Sequence, residues 1–240
     1  MKIAITTLGC KVNQYDSAVI QNRLEQHHAF VSFEEPADCY IINACTVTDR
    51  ADWEARQLVR RAKRLSPGAK VLVTGCYAQV NPAEVARVPG VDYVVGLNRL
   101  ADLLQFVDLP VGDGEVRVAV SDVKRERGVT VLGTRALPGH TRAFLKIQEG
   151  CNYSCTYCII PTARGLSRSV APREVLEQVR TLADAGLVDT VEVALMPVLL
   201  SQGVPLITSG TRITGMKLDK CETLPKSGIV MLSYTIPLHP

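Results

Sequence analysis

The chain has 240 residues, enough for one large domain or two small ones. Apolar residues make up 47% and charged residues 21%, the balance of a folded globular chain and not of a disordered one. Formal net charge is only +3, so bulk charge does not mark a nucleic-acid binder, and no apolar run approaches the ~20 residues that span a bilayer. The start, Met1-Lys2-Ile3-Ala4-Ile5, enters a strand pattern at once, with no charged region followed by an apolar one. The expectation is a cytoplasmic protein without membrane contact, whose eight cysteines are ligands or buried thiols and not disulfides.

The first hundred residues predict strands alternating with helices. Lys2–Leu8 reads as a strand, and Asn13–His27 as a helix with Val12, Tyr15 and Val19 on one side. Cys39–Asn43 is a second strand. Arg50–Leu65 is the clearest helix, with Ala51, Ala55, Leu58, Ala62 and Leu65 in helical register, Asp49 as its cap and Ser66-Pro67-Gly68 as its stop. Lys70–Thr74 is a third strand, Pro82–Val88 a short helix, Val91–Val95 a fourth strand and Leu100–Val107 a further helix. The alternation implies a mostly parallel sheet covered on both faces.

Cys10, Cys45 and Cys76 follow the first, second and third strands. In parallel strands joined by helical crossovers these positions share the carboxyl edge of the sheet, where open α/β folds place ligands. Three unrelated buried thiols are the alternative. Cys39 and Cys221 have no companions at ligand spacing and read as small buried hydrophobes.

Residues 109–141 read as a basic linker, broken by Gly and Pro, with Arg117, Lys124, Arg125, Arg127 and Arg135, Arg142 just beyond, and a short strand at Val116–Val120. Its charge suits either a solvated surface or a phosphate-facing patch. A strand-like run, Ala143–Gln148, then leads into Cys151, Cys155 and Cys158, spaced C-x3-C-x2-C, with a loop from Ile159 to Gly165 leading out. Pro172–Ala185 reads as a helix and Thr190–Leu195 as a strand, so this unit resembles the opening of a (β/α) barrel or part-barrel. From about Met196 five prolines fragment the pattern; Val198–Ile207 and Gly228–Ile236 are apolar but isolated. Residues 196–240 are an atypical tail, with folding and disorder both open.

Three close thiolates suggest an iron–sulfur cluster or another thiolate-bound metal. Three ligands leave one iron of a four-iron cluster free to chelate a small molecule's amino and carboxylate groups. Tyr157, beside the last cysteine, is placed to pack against a flat ring of that ligand. Zinc competes less well, because it wants a fourth ligand and His140 is remote in sequence.

Four motifs carry a resemblance: Thr7-Leu8-Gly9-Cys10-Lys11-Val12-Asn13-Gln14, Ile42-Asn43-Ala44-Cys45-Thr46-Val47-Thr48, Thr74-Gly75-Cys76-Tyr77-Ala78-Gln79, and Glu149-Gly150-Cys151 through Cys158-Ile159-Ile160-Pro161 with Arg164-Gly165 and Arg168-Ser169. In this order they resemble the radical S-adenosylmethionine tRNA methylthiotransferases, most of all the branch acting on N6-threonylcarbamoyladenosine. The resemblance implies an α/β protein: an N-terminal open parallel-sheet domain (1–108), the basic linker (109–141), and the first βα units of an incomplete radical-enzyme (β/α) barrel (142–195). It implies two 4Fe-4S clusters, one on Cys151, Cys155 and Cys158 with S-adenosylmethionine on its open iron, and an auxiliary one on Cys10, Cys45 and Cys76. It implies no catalytic side chains beyond those ligands, with Tyr157 as a cofactor contact. The partners it implies are the anticodon arm of tRNA and an electron donor such as a flavodoxin or ferredoxin.

The resemblance covers about residues 1–186. The family continues with more barrel and an RNA-binding β-domain, so a truncated or frameshifted gene and an impaired fragment are the expectation, with RNA contact left to the N-terminal domain, the linker and the loop arginines. Two rivals stand beside it: a non-catalytic iron–sulfur fragment, and a radical enzyme of the same superfamily with another substrate. Arg56, Arg60, Arg61, Lys63 and Arg64 favour RNA, or form a solvated helix face.

Overall fold

The computed structural model describes residues 1–110, 114–129, 144–184, 190–195 and 216–235. Ala143, the linker residues Arg135 and Arg142, the helix end at Ala185 and the apolar run Val198–Ile207 lie outside the described residues. Two compact units emerge, Met1–Val179 and Arg180–Pro240.

The first unit is built on a six-stranded parallel sheet. Its strands are β1 (Lys2–Thr7), β2 (Ala29–Val31), β3 (Cys39–Ala44), β4 (Lys70–Gly75), β5 (Tyr93–Val95) and β6 (Arg117–Ala119). They run side by side in the order β2-β1-β3-β4-β5-β6, and every neighbouring pair is parallel. The α/β architecture read from the alternating pattern is therefore present. β6 falls inside the stretch read as linker, yet it pairs with β5 through Tyr93–Arg117, Val94–Val118 and Val95–Ala119. The central strands β3 and β4 are buried along their whole length, which is why they are nearly continuous apolar runs.

Side chains alternate between two cores. Tyr40, Ile42 and Ala44 of β3 face α2 (Asp49–Leu65), packing with Ala55, Val59 and Ala62. Cys39 and Ile41 face the opposite layer with Ile20 and Leu24 of α1 (Lys11–Leu24) and Leu103 and Val107 of α5 (Leu100–Asp108). Between them in the chain come the short helices α3 (Cys76–Val80) and α4 (Pro82–Ala86). The cap of α2 is Thr48 and not Asp49: the Thr48 hydroxyl accepts from the Ala51 amide at 3.2 Å, and Asp49 becomes the first helical residue. An N-cap hydroxyl of this kind contributes about 1 kcal/mol.

The segment after the linker is less regular than its pattern suggests. Among the described residues of the strand-like run before Cys151, only Gln148 is in a strand, β7 (Gln148–Glu149), paired antiparallel with β8 (Arg168–Ser169). The stretch read as a loop contains α6 (Ile160–Arg164), with Pro161 in its first turn, where a missing N–H costs nothing. α7 (Pro172–Asp184) follows.

In the second unit β9 (Thr190–Leu195), β10 (Lys217–Thr223) and β11 (Val230–Thr235) form an antiparallel sheet ordered β10-β11-β9. Part of the atypical tail is thus a hairpin. Cys221 of β10 is exposed, not a buried hydrophobe as read; Cys39 is fully buried, and burial pushes its thiol up to about 12.

Candidate metal and cofactor site

Where β1 and β3 lie side by side, the helices that follow them leave to opposite faces. α1 packs on one layer and α2 on the other. That divergence opens a crevice at the carboxyl ends of the two strands, the place where doubly wound sheets bind ligands. Cys10 follows β1, Cys45 follows β3, and Cys76 opens α3 directly after β4. The three therefore stand around one crevice. Cys10 is exposed, while Cys45 and Cys76 are buried.

The buried amide of Asn13, on the first turn of α1, is the hub between them. Its Oδ1 lies 3.8 Å from the thiols of both Cys10 and Cys76. Its Nδ2 donates to the Leu8 carbonyl at 2.9 Å, and Asn43 Nδ2 donates to its backbone carbonyl at 2.9 Å, which ties α1 to the ends of β1 and β3. Cys45 closes the third side against Gly9. A Cβ at Gly9, whose φ is +107°, would stand 3.0 Å from the Cys45 sulfur. Gly75 is held just as tightly: at φ +91° its Cβ would come within 2.3 Å of Asn43 Oδ1. Only glycine fits either place.

The second set lies on one loop. The Cys151 amide donates to the Gly165 carbonyl at 3.1 Å, and the Cys158 amide to the Cys155 carbonyl at 3.0 Å. Cys155 is exposed, and Cys151 and Cys158 are half-buried. Tyr157 is 89% exposed, its ring free to solvent.

Arg164, at the end of α6, connects the two sets, although as a loop arginine it is expected to meet RNA. It is 4% exposed. Its Nη2 donates to Asn13 Oδ1 at 2.7 Å and to Asp16 Oδ2 at 2.9 Å, and its Nη1 donates to Glu149 Oε1. Lys146 completes the cluster, 2.7 Å from Asp16 Oδ1 and 2.5 Å from Glu149 Oε2. Two acids and two bases thus meet between α1 and the cysteine loop. Burial alone would raise the Glu149 carboxyl, but Arg164 and Lys146 outweigh it and hold it below the usual range. Burial would lower Lys146, yet Asp16 and Glu149 keep it raised. Arg168 is also buried, donating to the Arg164 carbonyl at 2.7 Å. Neither loop arginine is a free RNA contact.

Burial pushes the Cys76 thiol up to about 11, against the pull of the Arg164 guanidinium beside it. Among the described residues no three His, Cys, Asp or Glu side chains are gathered so as to hold a metal ion. A tetrahedral single-ion cage needs sulfurs roughly 3.8 Å apart, from a bond length near 2.3 Å. Cys10, Cys45 and Cys76 instead rim a crevice around an amide. The donor chemistry fits an iron–sulfur group: thiols only, with a buried cation alongside. Arg164 Nε is a buried donor with no protein acceptor, the kind of group that a cluster or thiolate sulfur satisfies.

A cavity of ≈ 60 Å³ bordered by Asn43, Thr74, Gly96 and Lys146 has room for a few waters. A groove of ≈ 340 Å³ between the start of α1 and residues 144–148 reaches the size of a small-molecule site.

Comparison with known proteins fits this layout. Residues 2–96 match the uncharacterized protein family UPF0004, and residues 145–195 match the radical SAM superfamily, in keeping with the opening units of a radical-enzyme barrel. A threonylcarbamoyladenosine tRNA methylthiotransferase of Aquifex aeolicus is 44% identical over 192 residues, which are 80% of this chain and 47% of that protein. Its namesake in Bacillus subtilis is 46% identical over 185 residues, 77% of this chain and 41% of that one. A tRNA-2-methylthio-N(6)-dimethylallyladenosine synthase of Aliarcobacter butzleri is 35% identical over 192 residues, 78% of this chain and 42% of that protein.

The chain matches both families and is similar over about four fifths of its length to the radical S-adenosylmethionine methylthiotransferases. It spans less than half the length of these relatives. No helix among its described residues is long and apolar enough to cross a membrane. The motifs that carry the likeness are thereby given places: three lie around the crevice of the parallel sheet, and the fourth begins on β7 and runs through α6 to β8.

Proposed function

We propose that this chain serves the transfer of a methylthio group to C2 of N6-threonylcarbamoyladenosine in the tRNA anticodon loop. In this reading Cys151, Cys155 and Cys158 hold one 4Fe-4S cluster with S-adenosylmethionine on its open iron, and Cys10, Cys45 and Cys76 hold the auxiliary cluster. When bound, these groups supply the one-electron and radical chemistry that no protein side chain performs on an adenine C–H bond.

The chain's own residues bind and orient. The six cysteines ligate as thiolates, so loading releases protons. The Arg164 guanidinium favours the anionic form of Cys76. Through Asn13 and Asp16 the same arginine fixes the α6 end of the radical loop to α1, which sets the spacing of the two cysteine sets. Tyr157 offers an open ring face to the adenine of S-adenosylmethionine, and the exposed edge at Cys155 gives an electron donor of the flavodoxin or ferredoxin class its approach. The cytoplasm is the compartment that suits such thiolates.

One observation supports the reading most: Cys10, Cys76 and Arg164 meet on a single buried oxygen of Asn13. Anaerobic reconstitution with iron and sulfide tests it. About eight irons per chain are expected, and about four in a C10A/C45A/C76A variant and in a C151A/C155A/C158A variant. About four in the parent chain would reject the two-cluster assignment. Formation of 5′-deoxyadenosine from S-adenosylmethionine and a reductant, with methylthio product on anticodon-arm RNA, tests the activity.

A further inference from the structure

The cations of α2 divide into two groups. Arg50 pairs with Glu54, Arg56 with Glu84, Arg61 with Glu34 and Lys63 with Asp92. Arg60 and Arg64 are exposed and, among the described residues, have no ion-pair partner. At about 100° per residue, Trp53, Arg60 and Arg64 fall within about 40° of one another around the helix, opposite buried Ala55, Val59 and Ala62. Trp53 is the chain's single tryptophan and is 54% exposed. A large ring left in water, in line with two unneutralised guanidiniums about 10 and 16 Å further along the axis, is the layout of a base-stacking platform with phosphate contacts. The stripe also starts near the crevice. Thr46, next to Cys45, donates to Asp52, the neighbour of Trp53, at 3.1 Å.

We propose that this outward stripe of α2 is a binding face for single-stranded RNA, on which Trp53 stacks one base while Arg60 and Arg64 each hold a phosphate. The choice of an anticodon loop as that RNA rests on the methylthiotransferase reading; the stacking and phosphate contacts do not. The stripe leads the strand toward the cysteine crevice.

The single tryptophan makes the test direct. The full chain is titrated with a synthetic anticodon stem–loop RNA while Trp53 emission is followed, with a blunt duplex of the stem alone as control. The stem–loop quenches the emission and the duplex does not. W53A weakens stem–loop binding by about 5- to 150-fold, the range of one base stack, and W53F restores most of it. R60A/R64A lowers the slope of log K against log salt by about 1.4, two single-strand phosphates at roughly 0.7 each. Far-UV circular dichroism confirms that the variants keep their fold. Unchanged emission at saturating RNA together with parental affinity in W53A overturns the proposal, as does an absence of stem–loop binding. Failure of cluster loading or of 5′-deoxyadenosine formation, with quenching and the W53A loss intact, sinks the methylthiotransferase reading and leaves the RNA face standing.

Discussion

Replacing Arg164 with methionine keeps most of the side-chain volume and removes the cation from the four-member cluster. Glu149 then loses its Nη1 donor, and Asp16 and Asn13 lose contacts of 2.9 and 2.7 Å. Lys146 remains to face two carboxylates that are 9% and 19% exposed. Removing one partner of a buried pair costs about 3–5 kcal/mol, most of it the price of a charge left uncompensated. Against a whole-domain stability of about 5–15 kcal/mol that is a large share. For a unit of this size it lowers Tm by about 6–20 °C. Urea and thermal unfolding followed by far-UV circular dichroism measure it. The single variants R164M and E149Q and their double form a cycle: the double, left with the Lys146–Asp16 pair, is less damaged than the two singles added together. A loss below about 1 kcal/mol in R164M, or strict additivity in the cycle, would show that the cluster is solvated and does not fasten the loop to α1.

The same cluster sets a pH profile. The Glu149 carboxyl is held below its ordinary 4.5, so its contribution is complete above that value and is lost as pH falls through the lowered one; Lys146 is raised above 10.5, so its contribution is complete below that and is lost as pH rises further. Urea midpoints across pH show a plateau between these limits, and E149Q flattens the acid limb; parallel acid limbs in parent and variant would refute this. G75A drives a Cβ to within 2.4 Å of the Ala44 carbonyl at a φ of +91°, and costs at least the 1–3 kcal/mol of a strained backbone, read from its urea midpoint; a parental midpoint would contradict the tight approach. Brief native alkylation followed by peptide mass mapping labels exposed Cys221, while Cys39, its thiol raised to about 12, reacts only after denaturation.

The parallel sheet was legible because its strands are buried on both faces, so Cys39–Ala44 and Lys70–Gly75 appear as short apolar runs between helical periods. The edge positions of Cys10, Cys45 and Cys76 followed from that alternation. β2 was not legible, since three residues at a sheet edge leave no period to count. α6 was missed because Pro161 reads as a breaker, although proline suits a first helical turn. The hairpin of β10 and β11 was hidden because Lys217–Thr223 is exposed along its length and shows no apolar alternation. The largest omission was Arg164. Its partners Asn13 and Asp16 lie 151 and 148 residues away in sequence, and only the fold brings them together. The one available signal was the Arg-Gly step within the fourth motif, and an arginine there reads as readily for solvent as for burial.

The chain order of the crevice has a consequence in time. Everything that forms its rim, Cys10, Asn13, Cys45 and Cys76, has been made by residue 76, together with the four strands that hold it. Arg164 is made much later. Amino-terminal structure forms first during synthesis. The crevice is therefore assembled open on the growing chain and gains its buried guanidinium only when the second cysteine loop arrives. A nascent chain stalled between the two would leave both buried thiols open to oxidants, with no guanidinium beside Cys76.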